Sequence, residues 1–422
     1  RDTAGSADAI TLDPNGGAVL AGVTTISTAR ITTGITTSIQ VGGGVTISES
    51  GIEASGIGIT CANINGTQIG GRRNIVINGA MNVAQRGTSS TSVGYQTVDR
   101  IYQAIANTDE SPTITQADIS SSDAPYLLGF RKSYKVQNGN QTGGAGAADE
   151  IATTYNVEAQ DLAQSGWDYT SSSSNITLSF WVKSSVAQQF QVNMRIYPDS
   201  GDQKEFCFEY TLSANTWTKV IKTIPGASGN VLRNTNELGM FIQFPQFYGT
   251  NYTANTRAFD TWETKNNAQN YKDYATDWYT TNDATWEITG LQLEVGSQAT
   301  PFEHRSYGEE LSLCQRYYFK YLEGITKEIG AAWYYTSSHA SFFFQFPVPM
   351  RAVPTGTDTT GTDYYIIYRN GGSDALNSVT FENGSTEQYS AYNNSEASGT
   401  AGQCGLIRSS NSSSKIEFSA EL

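Results

Sequence analysis

All 48 aromatic residues of this chain lie at or beyond Tyr95. A stretch that long without Phe, Trp or Tyr lacks the side chains that supply the largest apolar areas to a core. What it carries instead is mostly Gly, Ile, Val, Thr, Ser and Ala. Such a segment cannot close an ordinary globular core by itself. It predicts a thin fibre built with help from neighbouring chains, followed by an aromatic-rich head.

The first part also repeats. Gly22-Val-Thr-Thr-Ile, Gly34-Ile-Thr-Thr-Ser, Gly44-Val-Thr-Ile-Ser and Gly56-Ile-Gly-Ile-Thr follow one another at intervals of 12, 10 and 12 residues. Each is a short β-branched run behind a glycine turn. Strand alternation puts Val23, Ile26, Ile35, Ile39, Val45, Ile47, Ile57 and Ile59 on one buried side. One chain of such short strands could not cover them, whereas stacked repeats or three chains wound together could. The reading is a repetitive β shaft over residues 1–71, an intertwined trimer. A disordered Gly/Thr/Ser linker is the poorer reading, because linkers seldom carry Ile and Val at regular spacing.

At 422 residues the chain exceeds one typical core, so two or three units are expected. Ser, Thr, Asn and Gln replace charge nearly everywhere, and only 16% of residues are Asp, Glu, Lys or Arg. The net charge of −14 excludes nucleic acid as the expected partner, since phosphate binding needs a basic patch. No apolar run reaches the length of a membrane span. Cys61, Cys207, Cys314 and Cys404 match neither a metal spacing nor a disulfide framework, and read as isolated buried thiols. The opening Arg1-Asp2-Thr3 shows no hydrophobic leader pattern and reads as the start of a fragment or processed product.

Residues 72–306 read as a β-domain. Clean alternating runs stand at 175–183, 190–197, 205–212, 216–221, 238–244 and 285–294, which predicts an antiparallel sandwich. Between the last two lies a long aromatic insertion, and a long insertion is usually functional or disordered. Residues 307–328 read as a linking helix with acids in its first turn, a hinge or trimer-clustering element. Residues 329–422 return to strands at 341–346, 364–368 and 415–422, predicting a distal β-sandwich.

Three groups of residues carry a resemblance. Asn78-Gly79, Gln85-Arg-Gly and Tyr95-Gln-Thr-Val-Asp-Arg100 resemble the opening of head domains in bacteriophage tail-fibre proteins. The run Ile288-Thr-Gly-Leu-Gln-Leu-Glu-Val-Gly-Ser-Gln-Ala-Thr-Pro-Phe-Glu303 is similar to the closing strand of that domain, and leads into Tyr307-Gly-Glu-Glu-Leu-Ser-Leu-Cys-Gln-Arg-Tyr-Tyr318. Phe346-Pro-Val-Pro-Met-Arg-Ala-Val-Pro354 and Phe418-Ser-Ala-Glu-Leu422 are similar to the domain that ends such fibres. The glycine repeats resemble shafts of fibres from marine phages, including cyanophages. The resemblance implies an all-β homotrimeric virion fibre whose head is a jelly roll like those of carbohydrate-binding modules. It implies adsorption to a host surface polysaccharide or lipopolysaccharide, and attachment to other tail or capsid proteins through the N-terminal end. The alternatives are a structural or decoration fibre without receptor binding, and a glycan depolymerase spike.

Sugar binding needs aromatic faces for pyranose rings, with amides and carboxylates for hydroxyls. Trp262, Tyr271, Tyr274, Trp278 and Tyr279 in the insertion have that mixture, as do Tyr364, Tyr365, Tyr368, Tyr389 and Tyr392 in the distal part. Core or interface packing is the competing reading, and it is accepted outright for Phe180, Trp181 and Trp217, which sit inside strands. No enzymatic activity is expected. His304 and His339 are the only histidines and neither accompanies a nucleophile motif. Asp260, Glu263, Asp273 and Asp277 are the acids a glycosidase reading would use, and solvated loop charge is the better reading of them. Asp358 and Asp363 flank a glycine without the spacing of a calcium loop, so neither a metal nor a cofactor is expected.

Overall fold

Period-two alternation of apolar side chains, with turn residues between short runs, builds nearly every element of this chain. The computed structural model describes residues 73–254, 256–266 and 271–422, together with the backbone of five short strands before residue 69. The chain divides into two units, 1–62 and 63–422. In the first, β1 (Ser38–Val41), β2 (Val45–Ser48) and β3 (Gly51–Ala54) form an antiparallel sheet in which Ile39 is opposite Ile47 and Ile47 opposite Ile52. In the second, β4 (Asn63–Ile64) pairs with β5 (Thr67–Gln68). The repeats at 22–26, 34–37 and 56–60, and the burial expected of the side chains in all four repeats, lie outside the described residues.

The head is a jelly-roll sandwich. Its strands are β6 (Ser89–Ser90), β7 (Ile101–Ala106), β8 (Thr113–Asp118), β9 (Lys132–Gln137), β10 (Glu150–Glu158), β11 (Asn175–Ser184), β12 (Gln188–Ile196), β13 (Lys204–Leu212), β14 (Thr218–Pro225), β15 (Leu238–Tyr248), β16 (Trp262–Thr264) and β17 (Thr285–Val295). One sheet has the order β16-β13-β12-β15-β10-β7 and the other β14-β11-β17-β9-β8-β6, all antiparallel. Alternation decides what each strand buries. On β12, Phe190, Val192, Met194 and Ile196 enter the core; on β11, Ile176, Leu178, Phe180 and Val182 do, and Trp286 and Ile288 come from β17. Short helices α1 (Ala124–Leu127), α2 (Ala159–Ala163) and α3 (Asp277–Thr280) lie in the connections.

Helix α4 (Tyr307–Gln315) follows, with Ser306 accepting the Glu309 backbone N–H as its N-cap. The chain is back in a strand at β18 (Tyr318–Glu323). The distal sandwich continues with β19 (Glu328–Thr336), β20 (His339–Gln345), β21 (Thr355–Asp358), β22 (Tyr365–Arg369), β23 (Gly372–Leu376), β24 (Thr380–Glu382), β25 (Gln388–Asn393), β26 (Cys404–Ser409) and β27 (Lys415–Ser419). A seven-stranded sheet, β23-β22-β26-β19-β20-β25-β24, faces the small sheet β18-β27-β21 across Tyr334, Phe342, Phe344, Tyr365, Ile367 and Phe418.

The two sandwiches are joined by buried charge rather than by a free hinge. Glu310 of α4 accepts the Asn78 N–H and pairs with Arg305 at 3.3 Å, while Cys314 and Tyr317 pack on Ile77 and Val83. The fully buried Glu158 of the head accepts from Arg316 at 2.7 Å and from the Tyr317 hydroxyl at 2.6 Å. The side chains of Arg351 and Asn236 each donate to the other's backbone carbonyl at 2.6 Å. These bonds hold α4 as a buttress, in place of the expected hinge. Of the three described cysteines, Cys207 and Cys314 are buried free thiols as expected, whereas Cys404 is exposed against expectation, because alternation on β26 turns it away from the distal core; Cys61 lies outside the described residues.

Asp99 gives this joint a pH dependence. Burial pushes its carboxyl up to about 6, against the hydrogen bonds from the side chain and backbone of Gln85 and the nearby Arg86, which favour the anion. A carboxyl raised in the fold holds a proton that the unfolded chain has already released. Stability therefore falls as pH rises from about 4 to about 6, and is flat above. The span corresponds to roughly 2–3 kcal/mol at 1.36 kcal/mol per pKa unit. Urea midpoints measured between pH 4 and 7 are expected to fall less for Asp99→Asn than for the wild type; equal slopes would refute the assignment.

Candidate functional site

The face of the first head sheet that points away from the core is unusually polar. Alternation aims Gln191, Asn193 and Arg195 of β12, Glu205, Cys207 and Glu209 of β13, Phe241 and Gln243 of β15, and Glu150, Thr154 and Asn156 of β10 to this side. Yet Gln191 and Asn193 are buried. The insertion after β15 lies over them: Arg257 pairs with Glu205 at 3.2 Å and donates to Cys207 Sγ, and the Lys272 N–H donates to Gln191 at 3.0 Å. Burial beneath this cover pushes the Cys207 thiol up to about 12, so it is inert as a nucleophile.

The insertion covers only half of the face. Over β15, β10 and β7 a groove of about 440 Å³ remains. It is lined by the rings of Tyr102, Tyr197 and the largely buried Phe241, by Glu150, Thr154, Asn156 and Gln243, and at one end by Leu422. These polar groups are held in place. Gln243 donates to Thr154 Oγ1 at 3.2 Å and accepts the Tyr271 hydroxyl; Asn156 donates to the Tyr95 hydroxyl at 2.8 Å and to the Leu422 carbonyl at 3.1 Å. One Glu150 oxygen accepts the Tyr248 hydroxyl at 2.6 Å, and the residue lines the groove. Tyr102 is braced edge-on by Tyr95 at 5.3 Å, and Phe241 lies under the Arg195 guanidinium at 4.4 Å. Aromatic walls with converging amide, hydroxyl and carboxylate groups on a rigid sheet suit a polyhydroxylated ligand.

The aromatic residues singled out in the insertion build this architecture instead of offering free faces. Trp278 and Tyr279 are buried in the head core, with Tyr279 stacked on Phe247 at 3.9 Å. Tyr271 is stacked on Tyr248 at 3.9 Å and 9°, so both of its faces are occupied or buried; only its hydroxyl reaches a groove residue. Trp262 is half-buried against Trp167 and Phe206 and donates to the Pro225 carbonyl at 2.7 Å. Tyr274 donates to Glu209 at 2.8 Å beside Lys272. The four acids of the glycosidase reading do not converge on the groove: Asp260 pairs with Lys222, Glu263 lies 3.7 Å from Arg257, Asp273 is exposed and Asp277 opens α3.

Four of the distal five divide by strand parity, and Tyr364 lies just before β22. Tyr365 is fully buried, its hydroxyl donating to the Thr359 and Lys415 carbonyls, while Tyr364 and Tyr389 pack on the distal core. These three are therefore packing residues. Tyr368 and Tyr392 point to the opposite, outward face. Tyr368 is 40% exposed beneath Arg408, and Tyr392 is stacked on His339 at 4.7 Å. The same face carries Trp333 and Phe343, whose rings are 5.0 Å apart, and Leu406, which is opposite Tyr368. Sequence reasoning missed Tyr102, Phe241, Trp333 and Phe343. The available signal was alternation itself, which separates Trp333 from Tyr334 and Phe343 from its two phenylalanine neighbours.

No protein-family model and no curated protein matches the chain. Among solved structures it is similar to the enzymatically active domain of tailspike protein 4 of bacteriophage CBA120, with 11% identity and a TM-score of 0.29 over 53% of this chain and 21% of that one. A putative sugar-binding protein from Bacteroides thetaiotaomicron matches with 11% identity and a TM-score of 0.29 over 53% of this chain and 99% of that one. The N-terminal tandem domain CBM22-1–CBM22-2 of Paenibacillus barcinonensis Xyn10C matches with 9% identity and a TM-score of 0.27 over 86% of this chain and its own full length. At such scores the jelly roll rests on the strand order described above.

Proposed function

We propose that this chain is the receptor-binding fibre of a phage virion, a homotrimer that adsorbs to a host surface glycan without cleaving it. The observation that carries the reading is the groove over β7, β10 and β15, with Tyr102, Tyr197 and Phe241 as rings and Glu150, Thr154, Asn156 and Gln243 as hydroxyl partners. The tail-fibre resemblance of the motifs around Arg100, Leu291–Tyr318 and the terminal Phe418–Leu422 supports the virion placement, with tail or capsid proteins held at the N-terminal end. The glycine repeats support the trimer, because their isoleucines need neighbouring chains. Three equivalent grooves turn weak sugar contacts into avid attachment, since the second and third contacts become intramolecular.

The test is retention of the purified chain on host cells and on their extracted surface polysaccharide, with released reducing ends scored in the same tubes. Retention without release is expected. Tyr102→Ala is expected to weaken it at least tenfold, about 1.4 kcal/mol per site, with the fold intact because the ring lies on the sheet surface. Release of reducing ends would make the chain a depolymerase. Absence of retention would leave a structural fibre.

A further inference from the structure

The opposite sheet of the head carries a second cavity, on a face that the glycan groove does not use. Alternation on β11 sends Phe180 into the core and Trp181 outward, opposite Lys219 of β14. The pairing of β11 with β17 slips between Ser179 and Trp181, and Gly290 of β17 takes φ 64° at that point. A side chain there would collide with the Phe130 ring, which lies 2.7 Å from where its Cβ would be. The bulge thus admits Phe130 and leaves a cavity of about 410 Å³ beside Trp181, within the range of small-ligand sites. Phe302 packs edge-on to Phe130 at 4.9 Å, and His304 lies against both rings. His304 Nε2 donates to the Leu128 carbonyl at 2.9 Å, which sets its tautomer and leaves Nδ1 as an acceptor.

The cavity is lined by one lysine, Lys219, and the buried Glu294 behind its wall is occupied by Thr300, whose N–H and hydroxyl donate to it at 2.8 and 2.6 Å. No carboxylate lines it among the described residues, although Asp and Glu outnumber Lys and Arg 40 to 26. Its cation, Lys219, has no carboxylate within ion-pair distance among the described residues. The nearby Lys183 and Lys132 are already paired, with Glu287 at 3.2 Å and with Asp118. An aromatic wall with an unpaired ammonium group at its edge is complementary to a ring that bears a negative charge.

We propose that this cavity binds an anionic pyranose, a sugar carrying a carboxylate, with its ring against Trp181, its carboxylate on Lys219 and a hydroxyl on His304 Nδ1. The proposal rests on the glycan-binding reading and deepens it: the host polymer contains acidic sugars, and the head holds it at two faces.

The experiment is calorimetric titration of the full chain with trigalacturonic acid and with neutral galactotriose, beside the retention assay on host polysaccharide. Saturable binding of the acidic trisaccharide is expected, weakening as salt is raised, with the neutral one at least tenfold weaker. Lys219→Gln is expected to remove that tenfold preference, and Lys219→Arg to keep it. Trp181→Ala is expected to abolish binding; should that variant misfold, the exposed Lys219 still decides the matter. Tyr102→Ala, in the groove, is expected to leave trigalacturonate binding unchanged. No saturable binding, or binding indifferent to Lys219→Gln, overturns the proposal. If the wild type is then still retained on host polysaccharide, only the second site falls. Trigalacturonate binding without retention would instead uphold the cavity and sink the adsorption reading.

Discussion

Trp278→Ala is expected to destabilise the head by about 3–5 kcal/mol, the range for truncating a large aromatic in a packed core. Trp278 is fully buried between the two head sheets although it belongs to the surface insertion. Its backbone is tied down as well, with its N–H donating to Gln188 at 2.9 Å and the next carbonyl accepting Asn138 Nδ2 at 2.6 Å. The insertion therefore plugs the sandwich with Trp278 and Tyr279, while residues around Arg257 and Lys272 roof the outer sheet face. A second substitution separates packing from polarity. The indole Nε1 has no hydrogen-bond partner among the described residues, so Trp278→Phe sacrifices volume but no hydrogen bond, and should cost roughly 1–2 kcal/mol. Urea unfolding followed by circular dichroism measures both. If Trp278→Ala leaves the midpoint unchanged while abolishing glycan retention, the side chain is a binding face and its assignment to the core is wrong.

This residue also marks the boundary of what was legible in the chain. Strands such as Asn175–Ser184 and Thr285–Val295 could be read directly, because Ile176, Leu178, Phe180 and Val182 on the one and Trp286, Ile288, Leu291 and Leu293 on the other keep a large apolar period, interrupted on the second only at Gly290. The strands between 101 and 158 went unmarked. In Glu150–Glu158 the inward row is Ile151, Thr153, Tyr155 and Val157, and the buried Thr153 hydroxyl donates to Gln103 at 2.9 Å and accepts from Gln246 at 3.2 Å, both across the sheet. A polar pair satisfied across strands breaks the apolar period on both of them, and a single sequence does not say which residues pair. The insertion misled for a different reason. Composition cannot tell an aromatic that faces water from one that plugs a core, since both functions select Trp and Tyr. Trp181 was recoverable: Phe180 and Trp181 are adjacent on one strand, so they cannot both enter the same core. Trp181 packs instead on a second cluster with Phe130 and Trp217, so packing holds for both residues, on opposite sides of the sheet, and Trp181 also lines the second cavity. The motifs that carried the tail-fibre resemblance meet in space. Asn78 meets Glu310, Gln85 meets both Asp99 and Tyr318, and Arg100 meets Glu421. They are the parts of the joint between the sandwiches, which is why they told more about architecture than about ligand.

Arg100→Ala is expected to cost about 3–5 kcal/mol, nearer the lower end, and to change how the molecule unfolds. Its guanidinium is buried, pairs with Glu421, donates to the Asn156 carbonyl at 2.7 Å and lies 3.5 Å over the Tyr317 ring. Removing it strands a buried carboxylate, which is the costly half of breaking such a pair. Arg86, 3.3 Å from Glu421, is the remaining cation and limits the loss. Arg100 also sits at φ 73°, a backbone region that L residues occupy at a cost of roughly 1–2 kcal/mol, so the joint holds it there against local preference. Because the pair bridges the head and the last residues of the distal sandwich, its loss should split one cooperative urea transition into two. Arg100→Met with Glu421→Leu removes both charges at once and fills the space with apolar atoms. That double variant should be more stable than Arg100→Ala, and the cycle should show a coupling above 1 kcal/mol. The decisive comparison is with the wild type: if the double variant is less stable than the wild type by more than about 1 kcal/mol, the pair contributes net stability, and the joint is held by charge attraction rather than by the penalty for leaving either charge alone.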